Sequence, residues 1–101
     1  MDQCEIYNLR LLYVEDEDDT MKPMLRFLQR RFSKVVAAKN GNEGFKKFLE
    51  YHPDLIITDL LLPDFGGIEM IEKIRKSGYI NPIIITSALQ DISSIVKTVD
   101  L

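Results

Sequence analysis

The chain has little of what zinc and redox chemistry needs: among 101 residues there is one cysteine, Cys4, and one histidine, His52. A single thiol has no partner for an intrachain disulfide, which fits a reducing compartment. With one histidine beside it, no ligand set for structural zinc exists. His52 precedes Pro53 and reads as an exposed loop residue, not a phosphodonor; Cys4, ahead of the first strand, takes no role. Long apolar runs are also missing. None approaches the roughly 20 residues of a membrane helix, and an N-terminus with Asp2 and Glu5 is no signal peptide, so a cytoplasmic domain without membrane contact is expected. Positive charge is not in excess: 13 Lys and Arg stand against 16 Asp and Glu, a net charge of -3. Direct nucleic-acid binding, which depends on a cationic surplus, is not expected of this domain. No glycine-rich turn follows the first apolar run, which excludes a dinucleotide- or nucleotide-binding loop.

What the chain does have is a rhythm. With 46% hydrophobic residues it can bury one core without cross-links. Four short runs, Leu9 to Val14, Val35 to Ala38, Leu55 to Thr58 and Ile83 to Thr86, are nearly continuous in apolar character, as parallel strands covered on both faces are. Helical spacing follows each one. Met21, Met24, Leu25, Leu28 and Phe32 share one face of a first helix, with Pro23 in its first turn. Phe45, Phe48 and Leu49 form the stripe of a second helix after Asn40-Gly41; Ile68, Ile71 and Ile74 form a third, closed near Ser77-Gly78. Ile92, Ile95, Val96 and Val99 mark a fourth. Methionines and aromatics at this spacing are core, not a cofactor box. The pattern predicts a flavodoxin-like, doubly wound parallel α/β sheet. The final helix leads into no further strand, so a truncated domain is expected, in which the exposed Ile83 to Thr86 edge invites self-association.

In an open parallel sheet the ligand crevice lies beyond the carboxyl ends of the strands. The residues there are acidic: the first run ends in Glu15, Asp16, Glu17, Asp18 and Asp19, the third in Asp59, and the fourth in Thr86 and Ser87. Strand order 2-1-3-4 brings runs one, three and four side by side. Helix dipole and capping preferences account for Asp18, Asp19 or Thr20, but not for Glu15 and Asp16 directly at a strand end. Carboxylates crowded on one rim call for a cation, and a hard divalent ion such as Mg2+ suits oxygen donors. Beside such an ion Asp59 can act as a nucleophile and carry a phosphoryl group, with Thr86 as a hydroxyl donor. A phosphatase that uses a strand-end aspartate needs a second acid two residues later, where this chain has Leu61.

The stretches Leu11-Leu12-Tyr13-Val14-Glu15-Asp16-Glu17 and Pro53-Asp54-Leu55-Ile56-Ile57-Thr58-Asp59-Leu60-Leu61-Leu62-Pro63 resemble those of bacterial response-regulator receiver domains. Gly66-Gly67 and Pro82-Ile83-Ile84-Ile85-Thr86-Ser87-Ala88 continue the likeness along nearly the whole chain. The resemblance implies a two-component phosphoacceptor domain. Glu15, Asp16, Asp59 and the carbonyl of Leu61 would bind Mg2+ or Mn2+, with Asp59 as phosphoacceptor. Thr86 would be the switch hydroxyl, and Ser87 would contact the phosphoryl group through its backbone. The implied partners are a sensor histidine kinase or a phosphotransfer protein, together with a downstream effector domain or protein. Such a domain accepts a phosphoryl group and catalyses at most its own phosphorylation and dephosphorylation. The family's fifth strand and helix, with a lysine that contacts the phosphoryl group, would lie beyond Leu101, and Lys97 is misplaced to substitute. Residues 1–101 are thus read as a receiver domain without its C-terminal βα unit. The competing reading is a pseudo-receiver or fragment that binds partners without phosphorylation.

Overall fold

Parallel strands form where β-branched and leucine side chains run together. In the computed structural model, which describes residues 6–59, 62 and 66–86, these runs become β1 (Tyr7–Val14), β2 (Phe32–Ala38), β3 (Leu55–Thr58) and β4 (Ile83–Ile85). They alternate with α1 (Asp18–Gln29), α2 (Gly41–Tyr51) and α3 (Gly67–Lys76). The sheet order is β2-β1-β3-β4, every pair parallel. The flavodoxin-like α/β order expected from the sequence is thus present. The fourth helix expected from Ile92 to Val99 lies outside the described residues.

Side chains alternate across β1, and each set has its own core. Leu11 and Tyr13 pack with Met21 and Leu28 of α1 and Ile57 of β3. Leu12 and Val14 pack with Phe48 of α2 and Met70, Ile71 and Ile74 of α3. The central strand is therefore buried on both faces, which explains its unbroken apolar run.

Several boundaries differ from the sequence expectation. Phe32 does not end the stripe of α1; it opens β2, opposite Tyr7 in the ladder, with the two rings 5.7 Å apart. Pro23 is the sixth residue of α1, not part of its first turn, because the helix starts as early as Asp18, where first-turn acids favour the dipole. Its missing N–H leaves the carbonyl of Asp19 to solvent, and both residues are exposed. Leu49 is 53% exposed: α2 faces the core with Gly41, Gly44 and Phe48, and a glycine-lined face carries no apolar signal. Thr86 lies one residue past β4, although its N–H still donates to the carbonyl of Thr58 at 3.0 Å.

Local chemistry fixes the helix ends that frame the rim. Asn40 caps α2: its Oδ1 accepts from the N–H of Glu43 at 2.8 Å, while Glu43 Oε1 accepts from the N–H of Lys39 at 2.8 Å, a capping-box arrangement. Beyond α3, Gly78 takes φ +99° and donates to the carbonyl of Arg75, the left-handed stop that glycine permits.

Two substitutions test this account. A Cβ on Gly44 would stand 2.6 Å from Met70 Sδ and 3.1 Å from Val14 Cγ2. Overpacking of about 1 to 3 kcal/mol outweighs the gain in helix propensity of about 1 kcal/mol, so Gly44→Ala lowers stability in urea denaturation. Asn40→Ala removes the cap and lowers stability by about 1 kcal/mol, with an unchanged dependence on denaturant.

Candidate functional site

The ladder carries the acids to one place. Leu11 to Val14 of β1 pair in order with Leu55 to Thr58 of β3. The next bond continues the pattern, Asp59 N–H donating to the carbonyl of Val14 at 3.2 Å, so Glu15 and Asp59 follow adjacent strands at the same level. Glu15 in turn donates its N–H to the carbonyl of Ala38 in β2 at 3.0 Å. On the other side Thr58 pairs with Ile85, which puts Thr86 beside Asp59. Carboxylate oxygens of Glu15, Asp16 and Asp59 lie within 4.8 Å of one another, the one such acidic group among the described residues. Leu61 and Ser87, also expected at the site, lie outside the described residues.

The three acids are not equivalent. Glu15 is 5% exposed, while Asp16 and Asp59 are half-buried. One Glu15 oxygen, Oε2, accepts from the backbone N–H of Glu17 at 3.2 Å. Burial nevertheless pushes the Glu15 carboxyl above its ordinary value; the Glu17 N–H opposes this, and the charges of Asp59, Asp16 and Glu17 reinforce it. Thr86 holds its hydroxyl toward the carbonyl of Thr58, at 3.5 Å.

Capping does not account for these acids. Glu17 occupies the N-cap of α1 and makes no side-chain cap bond. Asp18, in the first turn, is held by Lys39 at 2.9 Å, a pair that ties α1 to the β2–α2 loop and lowers the Asp18 carboxyl through that hydrogen bond. This ion pair crosses the rim and has no signature in local sequence.

Chemically, three oxygen donors converge with no nitrogen or sulfur among them, which fits a hard cation. Two oxygens on one magnesium ion lie at most about 4.2 Å apart, twice the metal–oxygen distance, so small side-chain rotations suffice to close this set. Without an ion the cluster opposes itself. The native state keeps the Glu15 proton to higher pH than the unfolded chain does. The stability linked to this group is therefore complete below the ordinary carboxylate range and is lost as pH rises through the raised value. Glu15→Gln is expected to flatten that decline and to raise the metal-free unfolding midpoint at neutral pH, as read by thermal melts in a chelator from the ordinary carboxylate range upward.

The sequence matches the family model of the response regulator receiver domain over residues 11–101. It is 34% identical over 86 residues to the transcriptional regulatory protein AfsQ1 of Streptomyces coelicolor, covering 85% of this chain and 38% of that protein. It is 33% identical over 81 residues to the alkaline phosphatase synthesis transcriptional regulatory protein PhoP of Bacillus subtilis, covering 80% of this chain and 34% of that one. The chain thus spans well under half the length of these curated relatives. Among solved structures, the N-terminal domain of an uncharacterized protein from Wolinella succinogenes superposes with a TM-score of 0.87 at 33% identity, over 91% of this chain and 74% of that one. Matched over nine-tenths of its length and carrying the family's sheet order, the chain belongs to the response regulator receiver domains of two-component signalling.

Proposed function

We propose that the chain is the phosphoacceptor of a two-component relay and that Asp59 receives the phosphoryl group. The observation that supports this most is the meeting of Glu15, Asp16 and Asp59 at the carboxyl ends of the two central strands, with their oxygens within 4.8 Å. The residues that would hold Mg2+ or Mn2+ are Glu15, Asp16 and Asp59, with the backbone carbonyl of Leu61. Such an ion neutralises charge on the transferring group and on the acids around it.

The protein's own part is placement. An oxygen of Asp59 attacks phosphorus in line, and the bond to the leaving group breaks. With a phosphohistidine donor the leaving group is an imidazole nitrogen; with a small acyl phosphate it is a carboxylate. Asp59 suits this role because its neighbours Glu15 and Asp16 leave it as the acid next to β4, within reach of the Thr86 side chain. We assign Thr86 as the switch hydroxyl: release of its 3.5 Å contact with the Thr58 carbonyl would let it bond a phosphoryl oxygen. Ser87 would contribute a backbone contact.

A sensor histidine kinase or phosphotransfer protein is the proposed donor. A relative, the hybrid signal transduction histidine kinase D of Dictyostelium discoideum, shares 32% identity over 88% of this chain. The regulators AfsQ1 and PhoP support an effector, domain or protein, as the recipient of the switch. At a net charge of -3 the receiver itself is not suited to nucleic acid.

Incubation with Mg2+ and a small acyl phosphate is expected to give a phosphoryl adduct by intact mass, lost on hydroxylamine treatment, absent in Asp59→Asn and abolished by chelator. No adduct on the parent protein would favour a binding module that works without phosphorylation. Thr86→Val is expected to leave phosphorylation in place and to uncouple the conformational response, followed by amide exchange. The same loss in Ser87→Ala, but not in Thr86→Val, would move the switch role to Ser87.

A further inference from the structure

Strand β2 is the outermost strand on its side of the sheet among the described residues, so one row of its backbone groups faces no neighbouring strand. The ladder tells which groups these are. The carbonyl of Ala38 points toward β1, where it accepts from the N–H of Glu15 at 3.0 Å. Successive residues of a strand turn their N–H and C=O to opposite sides, so those of Ala37 point away from the sheet. Across the trans peptide from Ala38 to Lys39 the N–H lies opposite the carbonyl, and it points away as well. A further parallel strand would set one residue between these groups, donating to the Ala37 carbonyl and accepting from the Lys39 N–H.

Side chains of α2 already hold both places. Lys47 Nζ donates to the carbonyl of Ala37 at 2.8 Å, and Glu43 Oε1 accepts from the N–H of Lys39 at 2.8 Å. The two side chains stand one helical turn apart and are themselves paired at 3.5 Å. Helix capping accounts for Glu43 alone; it gives Lys47 no reason to reach back ten residues to a strand carbonyl. At the other end of the same edge the ammonium of Lys34 lies 4.7 Å from the centre of the Tyr51 ring, so α2 is tied to both ends of β2.

We propose that Glu43 and Lys47 together stand in for one residue of a neighbouring strand and so close the β2 edge to pairing with a second copy of this chain. A second copy is the partner this edge fits. Brought against itself about a two-fold axis, the edge pairs antiparallel, and the outward N–H and C=O groups of each copy meet those of the other. A strand laid there would have to expel the ammonium from Ala37 and leave its charge beside the new ladder, which is how lysines protect exposed strand edges.

Sedimentation equilibrium and residue-resolved amide exchange on the parent protein, Lys47→Met and Lys47→Arg test this. Lys47→Met keeps the aliphatic stem and removes the donor and the charge. Its mass is expected to rise above that of the parent, from 11.7 kDa toward twice that value as concentration increases, with exchange at the outward N–H of Ala37 slowing in step. Lys47→Arg keeps both donor and charge and is expected to match the parent. A Lys47→Met protein with the parent's mass at every concentration overturns the proposal. So does a dimer in which the Ala37 N–H exchanges as freely as in the parent, because its contact lies elsewhere, and so does a dimer that Lys47→Arg forms equally. Should Lys47→Met lack a melting transition, Lys47→Gln is carried through the same two measurements and judged by the same outcomes.

Discussion

The register of β1 against β3 is the constraint on which the rest of the molecule depends. Because Leu11 to Val14 stand opposite Leu55 to Thr58, the residues that leave the two strands have to emerge together. A slip of one residue would reverse every side chain and send either Glu15 or Asp59 to the wrong face. The apolar cores on both sides of β1 prevent that slip, since they would have to exchange Leu11 and Tyr13 for Leu12 and Val14. The energy that holds three like charges close comes from packing beneath them, not from anything at the rim.

This division of labour explains the uneven environments of the acids. Glu15 is the direct continuation of a strand buried on both faces and inherits its burial, while Asp16 starts the turn toward α1 and regains water. Asp59 leaves a shorter strand near the sheet's described edge, where β4 shields it less: Ile84 of that strand is 46% exposed. One carboxylate is thus buried with the strand that carries it, while the other two are half-buried at the rim.

Much of this was legible in the sequence, because parallel strands announce themselves as apolar runs and the acids follow them at once. The sheet order and the convergence of Glu15, Asp16 and Asp59 needed no more than that. Phe32 was misplaced because four residues after Leu28 it satisfies helical spacing as well as strand pairing does, and only its contact with Tyr7 decides between them. Leu49 misled for a related reason: α2 packs through glycines, so hydrophobicity pointed beside the true face. The ion pair of Lys39 with Asp18 joins residues 21 positions apart on exposed surfaces, where periodicity says nothing.

The start of α1 has a mechanical meaning. Between the end of β1 and the helix stand three residues, Glu15 to Glu17, and the first turn hangs from the carbonyl of Glu17, which accepts from the N–H groups of Thr20 and Met21. The Lys39 to Asp18 pair braces this junction against the neighbouring loop. With so short a tether, α1 cannot be displaced along its axis without dragging Asp16 with it. Force applied to the outer side of the helix therefore arrives at the carboxylates as motion, making α1 a lever whose short arm is a single acidic residue.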